Sequence, residues 1–292
     1  MNPIHVSADR FSVLPKSQVK TIGIGMFDGV HRGHQDLLDL CDAMITFDPH
    51  PRQFFNPSEL QLCLTPLSEK QALFRHVIAL KFDQYLSRLS PVHFLNFIHH
   101  ALQPKKIVVG YDFRYGNEKQ GDADQLVCWG KESGVEIQVK SPFLEKGRPI
   151  KSSWIRDCIQ TGDIRLANHL LGRPYCLIGR VESGEKRGRT IGYPTANIQL
   201  NPSKFLPKEG VYSGDVIVFG VRYRAAISIG HKPSFNAKSI SVEVHIIGFS
   251  GDLYGHTLNV ELKSFIRDQY TFNSLNELQH QIQQDVAHIN SL

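Results

Sequence analysis

The spacing of hydrophobic and polar positions changes twice within the first fifty residues. Val19 to Gly25 alternates and then becomes apolar, which predicts a strand of a buried sheet. The apolar residues that follow have helical spacing: Leu37, Leu38, Leu40 and Cys41. Met44 to Phe47 is again a short apolar run, and the prolines at 49 and 51 end it. The pattern predicts strand, helix and strand in succession, as in a parallel α/β sheet.

The first half continues with further helices and strands. We predict them at Ser68–Ile78 (helix), Ser90–Ala101 (helix), Lys105–Tyr115 (strand), Ala123–Lys131 (helix), Val135–Lys140 (strand) and Asp157–Leu171 (helix, interrupted by Gly162). The buried side of the first of these helices is predicted to comprise Leu67, Ala72, Leu73, Val77 and Ile78. Gly172-Arg173-Pro174 ends the last helix. We therefore divide the chain into domains at 1–172 and 173–292.

Short alternating segments replace the helical pattern after Tyr175. The predicted strands are Cys176–Glu182, Gly210–Val218, Val221–Ile229, Ser239–Phe249 and Thr257–Ile266. Five or six strands at this spacing indicate a small antiparallel barrel. A helix ends the chain, with Ser274 and Glu277 as a capping box and an apolar stripe on the side that packs on the barrel.

Composition narrows the class of protein. The 292 residues are 41% hydrophobic and 21% charged, which is typical of a globular protein. The net charge of +5 favours phosphorylated ligands, but the cations are dispersed, so we expect no nucleic-acid partner. The five cysteines form no C-x-x-C pair, and no run approaches the roughly 18 apolar residues of a membrane span. We expect a cytoplasmic monomer or weak homo-oligomer that acts on small molecules away from membranes.

A candidate phosphate site lies where the first predicted strand meets the first predicted helix. His31 and His34 are three residues apart, hence neighbours on one helical face, and Gly33 leaves room for a triphosphate. The N-terminus of a helix favours phosphate through its free N–H groups and its dipole. A single histidine here would be an ordinary capping residue, whereas His-x-Gly-His directly after a strand indicates a site.

The segment Met26-Phe-Asp-Gly-Val-His-Arg-Gly-His34, followed by Thr46-Phe-Asp-Pro-His-Pro51, resembles prokaryotic FAD synthetase domains, which belong to a nucleotidyltransferase superfamily with a Rossmann-like fold. The resemblance implies that both histidines stabilise the charged transition state at the α-phosphate. It also implies two groups of ligand contacts. The implied ATP contacts are Gly25, Phe27, Asp28, Gly29, Gly33, Ser152, Ser153 and Arg156. The implied flavin contacts are Asp112, Phe113 and Arg114, for which packing at a strand edge is the alternative.

The segment Lys186-Arg-Gly-Arg-Thr-Ile-Gly-Tyr-Pro-Thr-Ala-Asn197 resembles the nucleotide-binding signature of riboflavin kinases. Thr195 and Asn197 share one face of an extended segment, and their oxygens suit Mg²⁺ carried by ATP. Val242-Glu-Val-His-Ile246 also fits the family, which implies that Glu243 is the base for the ribityl hydroxyl; a plain exposed glutamate is the alternative. The remaining implied contacts are Gly179, Gly184, Lys186 and Gly188 with ATP, and Gly192, Tyr193 and Arg267 with flavin.

These resemblances together imply a bifunctional riboflavin kinase/FAD synthetase. It would convert riboflavin and ATP to FMN, and FMN and ATP to FAD, with Mg²⁺ in both steps. Two alternatives stay open. The Ser152–Arg156 loop lacks the family's threonine and the link from His34 to Ile45 is short, as in a kinase whose other domain has lost adenylyl transfer. A flavin or nucleotide carrier without turnover, with an RNA-binding variant, is the second.

Overall fold

The architecture changes near the middle of the chain, as the hydrophobic pattern predicts. The computed structural model describes residues 19–183, 192–231, 240–272 and 274–292. The chain forms two compact units, Met1–Ser152 and Ser153–Leu292. The first is α/β and the second contains an antiparallel barrel, which confirms the predicted fold class. The domain boundary after residue 172 stays a prediction.

The first unit is built on a parallel sheet. Its strands are β1 (Thr21–Ile24), β2 (Ala43–Asp48), β3 (Val77–Lys81), β4 (Lys106–Gly110) and β5 (Glu136–Lys140). Their order is β3-β2-β1-β4-β5, and every neighbouring pair is parallel. The order reverses at β1, which lies between β2 and β4. Ligands of open α/β sheets bind beyond the carboxyl ends of strands at such a reversal.

Helices connect these strands, and a two-stranded hairpin follows β5. The helices are α1 (Arg32–Leu38), α2 (Pro51–Phe55), α3 (Leu67–Leu73), α4 (Gln84–Ser87), α5 (Pro91–Leu102) and α6 (Ala123–Ser133), and the hairpin is β6 (Leu144–Glu145) with β7 (Arg148–Pro149). Ser90 caps α5 and Pro91 is its first residue, as predicted. Central strand side chains such as Ile22, Ile45 and Ile107 are fully buried.

The predicted helix Ser68–Ile78 is wrong in its C-terminal end and in its buried side. The helix predicted to reach Ile78 ends at Leu73, and Val77 and Ile78 belong to β3. Leu73 is 44% exposed, while the buried residues of α3 are Glu69 and Lys70. A short apolar run fits a helix and a strand equally well, so the spacing of Val77 and Ile78 could not decide between them.

The second unit contains the rest of α7 (Ser152–Thr161), helix α8 (Ile164–Leu171) and the barrel. The barrel strands are β8 (Tyr175–Glu182), β9 (Ala196–Leu200), β10 (Gly210–Val218), β11 (Val221–His231), β12 (Ile240–Ile246) and β13 (Thr257–Arg267). They close in the order β10-β11-β12-β9-β8-β13. Strand β9 has no counterpart among the predicted strands. Helix α9 (Leu275–Ser291) follows, with Ser274 as its N-cap.

Among the described residues, no helix has the length and apolar character needed to cross a membrane.

Candidate active sites

The loop between β1 and α1 has an unusual backbone. Phe27 and Val30 have φ angles of 46° and 41°, and Gly29 has 87°. The left-handed region is unfavourable for a β-branched residue such as Val30, and strain of this kind is found where function requires a fixed geometry. The loop follows the carboxyl end of β1, at the reversal of strand order. We call Met26–Val30 the β1–α1 loop.

Phe27 anchors this loop in the core. Its side chain is 3% exposed and packs in a buried cluster with Val30, Leu37, Leu38, Met44 and Val108. A Cβ on Gly25 would lie 3.2 Å from the Phe27 ring, so the absence of a side chain at Gly25 lets the ring fold back against the strand end. Asp28 is also buried, and one of its carboxylate oxygens accepts a hydrogen bond from Thr65 N.

The structure brings the two predicted histidines together. His31 caps α1, and its Nδ1 accepts a hydrogen bond from His34 N at 3.3 Å. The two imidazole rings stack with centroids 3.6 Å apart. Gly33 lies against this pair, because a Cβ there would be 3.2 Å from Phe143 and 3.3 Å from His31. The expectation that His31 and His34 are neighbours is confirmed.

The residues after β4 form a turn at the same sheet edge. Phe113 stacks on Tyr115 with centroids 5.3 Å apart, and Arg114 pairs with Asp122. Asp112 is 63% exposed, with Lys151 Nζ 3.8 Å from its carboxylate. The predicted strand Lys105–Tyr115 therefore ends at Gly110, and its three implied flavin contacts lie in the turn beyond.

Ser152, Ser153 and Arg156 lie in the first turns of α7. Ser152 Oγ donates a hydrogen bond to the Asp28 carbonyl at 2.8 Å, so this hydroxyl joins the β1–α1 loop. Ser153 is exposed. The Arg156 guanidinium lies 5.6 Å from the centre of the Phe205 ring within the second unit.

In the barrel, residues from two distant segments meet. Thr195 Oγ1 lies 3.3 Å from Glu243 Oε2. Asn197 on β9 is directly opposite Glu243 on β12 in the strand register. Side chains directly opposite each other in an antiparallel pair point to the same face, so Asn197 and Glu243 share a face. The Asn197 Oδ1 atom is buried and has no hydrogen-bond partner among the described residues.

The turn before β9 is fixed by a histidine that sequence reasoning did not assign. His245 Nδ1 is 2.9 Å from the Pro194 carbonyl oxygen, and its ring meets Tyr193 edge-on at 5.3 Å. Gly192 opens the turn with a φ of 84°. His245 is two residues from Glu243 on one strand and so lies on the same face. In the sequence, the alternation of Glu243 and His245 with Val242 and Val244 was the signal that places His245 on the same face as Glu243.

Arg267 at the end of β13 is held by helix α9. Its Nε and Nη2 both donate to the Asp285 carboxylate, at 2.9 and 2.7 Å for the two closest contacts. Both side chains are largely buried, at 12% and 6% exposed. The guanidinium also lies 4.9 Å from the centre of the Tyr270 ring. In this structure Arg267 joins the barrel to its helix, and its implied contact with flavin stays a prediction.

One residue of the implied phosphate loop of the barrel, Gly179, lies in a strand. Gly179 lies within β8 rather than in a loop, and a Cβ there would come within 2.3 Å of the Gln199 carbonyl on β9. Its small size is therefore required for strand packing. Gly184, Lys186 and Gly188, with the rest of 184–191, lie outside the described residues.

Comparisons with known proteins agree with this arrangement. The family model of FAD synthetase matches residues 14–154, and that of riboflavin kinase matches residues 171–292. A bifunctional riboflavin kinase/FMN adenylyltransferase of Bacillus subtilis is 34% identical over 98% of this chain and 96% of the relative. The protein of the same name from Escherichia coli K12 is 35% identical over 90% of this chain and 89% of the relative.

A solved structure from Streptococcus pneumoniae, described as a macrolide-efflux protein, superposes with a TM-score of 0.84. It is 29% identical in sequence and is matched over 96% of this chain and 98% of its own. The two family models and the full-length relatives thus indicate the same pair of domains. The chain belongs to the family of bifunctional riboflavin kinase/FMN adenylyltransferases.

Proposed function

We propose that this chain phosphorylates riboflavin to FMN with ATP and then adenylylates FMN to FAD, releasing pyrophosphate. The observation that carries the proposal is the contact between Thr195 and Glu243, with Asn197 opposite Glu243, in a chain whose full-length relatives bear both activities in their names. We keep 1–172 as the adenylyltransferase domain and 173–292 as the kinase domain.

In the kinase half, Glu243 acts as the general base. Its carboxylate accepts the proton of the ribityl 5′-hydroxyl as that oxygen attacks the γ-phosphorus, and ADP leaves. The hydrogen bond from the Thr195 hydroxyl orients one carboxylate oxygen. Tyr193 and Gly192, in the turn fixed by His245, border the flavin, as does the Arg267 region. The expected ATP contacts are Gly179, Gly184, Lys186 and Gly188.

The residues at this site fit a magnesium ion. The Asn197 Oδ1 atom is a buried acceptor without a hydrogen-bond partner in the described part of the chain, which is costly unless a ligand satisfies it. A neutral amide oxygen and a hydroxyl oxygen are suitable ligands for a hard cation such as Mg²⁺ that is also bound to phosphate. When bound, Mg²⁺ would neutralise charge on the transferred phosphoryl group. Thr195 and Asn197 would hold it.

In the adenylyltransferase half, the β1–α1 loop and the stacked histidines form the nucleotide site. A phosphate oxygen of FMN attacks the α-phosphorus of ATP, and pyrophosphate leaves. His31 and His34 lie at the N-terminus of α1 and donate to the oxygens on which negative charge develops. Ser152, Ser153 and Arg156 contact the phosphates of ATP, and Asp112, Phe113 and Arg114 contact the flavin. We place the protein in the cytoplasm, as a monomer or weak homo-oligomer without a nucleic-acid partner.

The experiment that tests the proposal is a product assay with the purified chain. Riboflavin with Mg-ATP should give FMN, and FMN with Mg-ATP should give FAD. FMN without FAD would favour a kinase with an inactive adenylyltransferase half, the alternative that the missing threonine of the Ser152–Arg156 loop supports. Flavin binding without ATP consumption would favour a carrier.

A further inference from the structure

Helix α3 buries the side chain of Lys70, whereas the sequence pattern predicts that its buried side is apolar. Lys70 is 5% exposed, and a lysine ammonium is rarely buried because it loses its hydration. Burial lowers the pKa of Lys70, while the carboxylates of Asp28 and Asp48 act in the opposite direction. The cost of this burial calls for an interaction that offsets it.

The Lys70 ammonium donates a hydrogen bond to the backbone of the β1–α1 loop. Lys70 Nζ donates to the Met26 carbonyl at 2.6 Å and to Thr46 Oγ1 at 3.2 Å. The Thr46 hydroxyl in turn donates to the same carbonyl at 3.2 Å. Both acceptors are neutral, so these contacts do not form an ion pair. They fix the orientation of the Met26–Phe27 peptide, where the backbone leaves β1.

Two other side chains hold the same loop by its carbonyl groups. Ser152 Oγ donates to the Asp28 carbonyl at 2.8 Å, and Gln35 Nε2 donates to the Val30 carbonyl at 2.7 Å. The carbonyls of residues 26, 28 and 30 are therefore fixed by side chains from separate parts of the first unit. Fixing alternate carbonyls determines the peptide planes of a loop that contains left-handed Phe27 and Val30.

We propose that Lys70 is a positioning residue for adenylyl transfer, whose buried ammonium holds the strained β1–α1 loop in the geometry that receives the triphosphate of ATP. The proposal rests on the assignment of adenylyl transfer to this loop. Lys70 acts through the Met26 carbonyl and touches no substrate. A charge-assisted hydrogen bond is stronger than a neutral one, which suits a lysine to holding a strained loop.

The variant Lys70→Met keeps the length and apolar stem of the side chain and removes its donor. FAD formation from FMN should then show a KM for ATP raised about tenfold or more, since a displaced loop loses contacts with the bound nucleotide. FMN formation by the same polypeptide should be unchanged. Lys131→Met is the matched control, because it removes an exposed lysine of α6 and leaves the loop intact.

Hydrogen exchange separates positioning from folding. In Lys70→Met, the amides of residues 26–30 should exchange faster while those of β4 keep their protection. Loss of protection in both segments, or a lower kcat with an unchanged KM, would mean that Lys70 only stabilises the fold. Unchanged exchange and kinetics would also overturn the proposal. A wild-type chain that forms no FAD would contradict the proposed function instead.

Discussion

The hydroxyl of Thr195 lies 3.3 Å from the carboxylate of Glu243, although 48 residues separate them in the chain. The contact joins the turn before β9 to the middle of β12. It places the proposed base beside the proposed metal ligands, on the face that Asn197 shares. The proposed kinase chemistry depends on this relationship.

Glu243→Gln should reduce FMN formation roughly 10²–10⁴-fold, because an amide cannot accept the proton of the ribityl hydroxyl. Riboflavin binding should persist, and FAD formation from supplied FMN should be unaffected. Steady-state kinetics of both reactions measure this. Glu261→Gln is the control, since β13 is separated from β12 by two strands in either direction around the barrel. Normal turnover of Glu243→Gln would remove it from the role of base.

Asn197→Ala should raise the Mg²⁺ concentration that gives half-maximal FMN formation, by about tenfold, because it removes one of the two proposed metal ligands. Titration of the kinase reaction with Mg²⁺ at saturating ATP measures the change. Asn259→Ala is a close control, because Asn259 Oδ1 is likewise buried without a partner in the described structure but lies on β13. An equal shift in both variants would argue against a specific ligand role for Asn197.

His31→Ala should abolish FAD formation and spare FMN formation, because the proposed role of this histidine, donation to the α-phosphate, belongs to the adenylyltransferase half alone. His100→Ala, at the exposed end of α5, should change neither reaction. Product analysis by chromatography distinguishes FMN from FAD. If His31→Ala lowers both activities to the same degree, loss of folding is the better explanation.

Asp285→Asn should destabilise the second unit by about 3 kcal/mol, because it leaves the largely buried Arg267 without its charged partner. Denaturant unfolding measured on the full chain tests this. Asp268→Asn should have a much smaller effect, because its pair with Lys208 is exposed. Similar effects of the two substitutions would mean that burial of the Arg267 pair has no energetic consequence.

Cys41 should resist alkylation in the native protein. Burial, with a smaller contribution from Asp42, raises the pKa of its thiol to about 12 from 9.0. The stabilisation linked to this shift is present below pH 9 and is lost as the pH rises towards 12. At pH 8, iodoacetamide should modify exposed Cys128 and spare Cys41, as read by peptide mass spectrometry. Denaturant should make both reactive; rapid native labelling of Cys41 would contradict the protection that its partial burial provides.

The sequence predicted those features of the structure that depend on interactions between residues close together in the chain. Ser90 and Pro91 mark the start of α5 because capping and a fixed φ act within one turn. The approach of His31 to His34 follows from their spacing on a helix start. By contrast, the contact of Thr195 with Glu243 depends on the register of β9 against β12. Spacing within a strand carries no information about that register, so only the family resemblance pointed to it.

Tertiary context overrode the pattern at two elements. Beyond the extended segment at Thr195–Asn197, strand β9 was not predicted, because Ile198 is its only buried residue and leaves little hydrophobic signal. Lys70 was missed because a lysine is ordinarily exposed, and its burial depends on the Met26 carbonyl and Thr46, which lie far away in the sequence.

The most direct test of the account is a time course of the purified chain with riboflavin and Mg-ATP. We expect FMN to appear first and FAD to follow, with ADP and pyrophosphate as the respective by-products. In Glu243→Gln, FMN formation from riboflavin should fall by the same roughly 10²–10⁴-fold, while added FMN should still be converted to FAD. Riboflavin left unchanged by the wild-type chain, with ATP intact, would contradict the account.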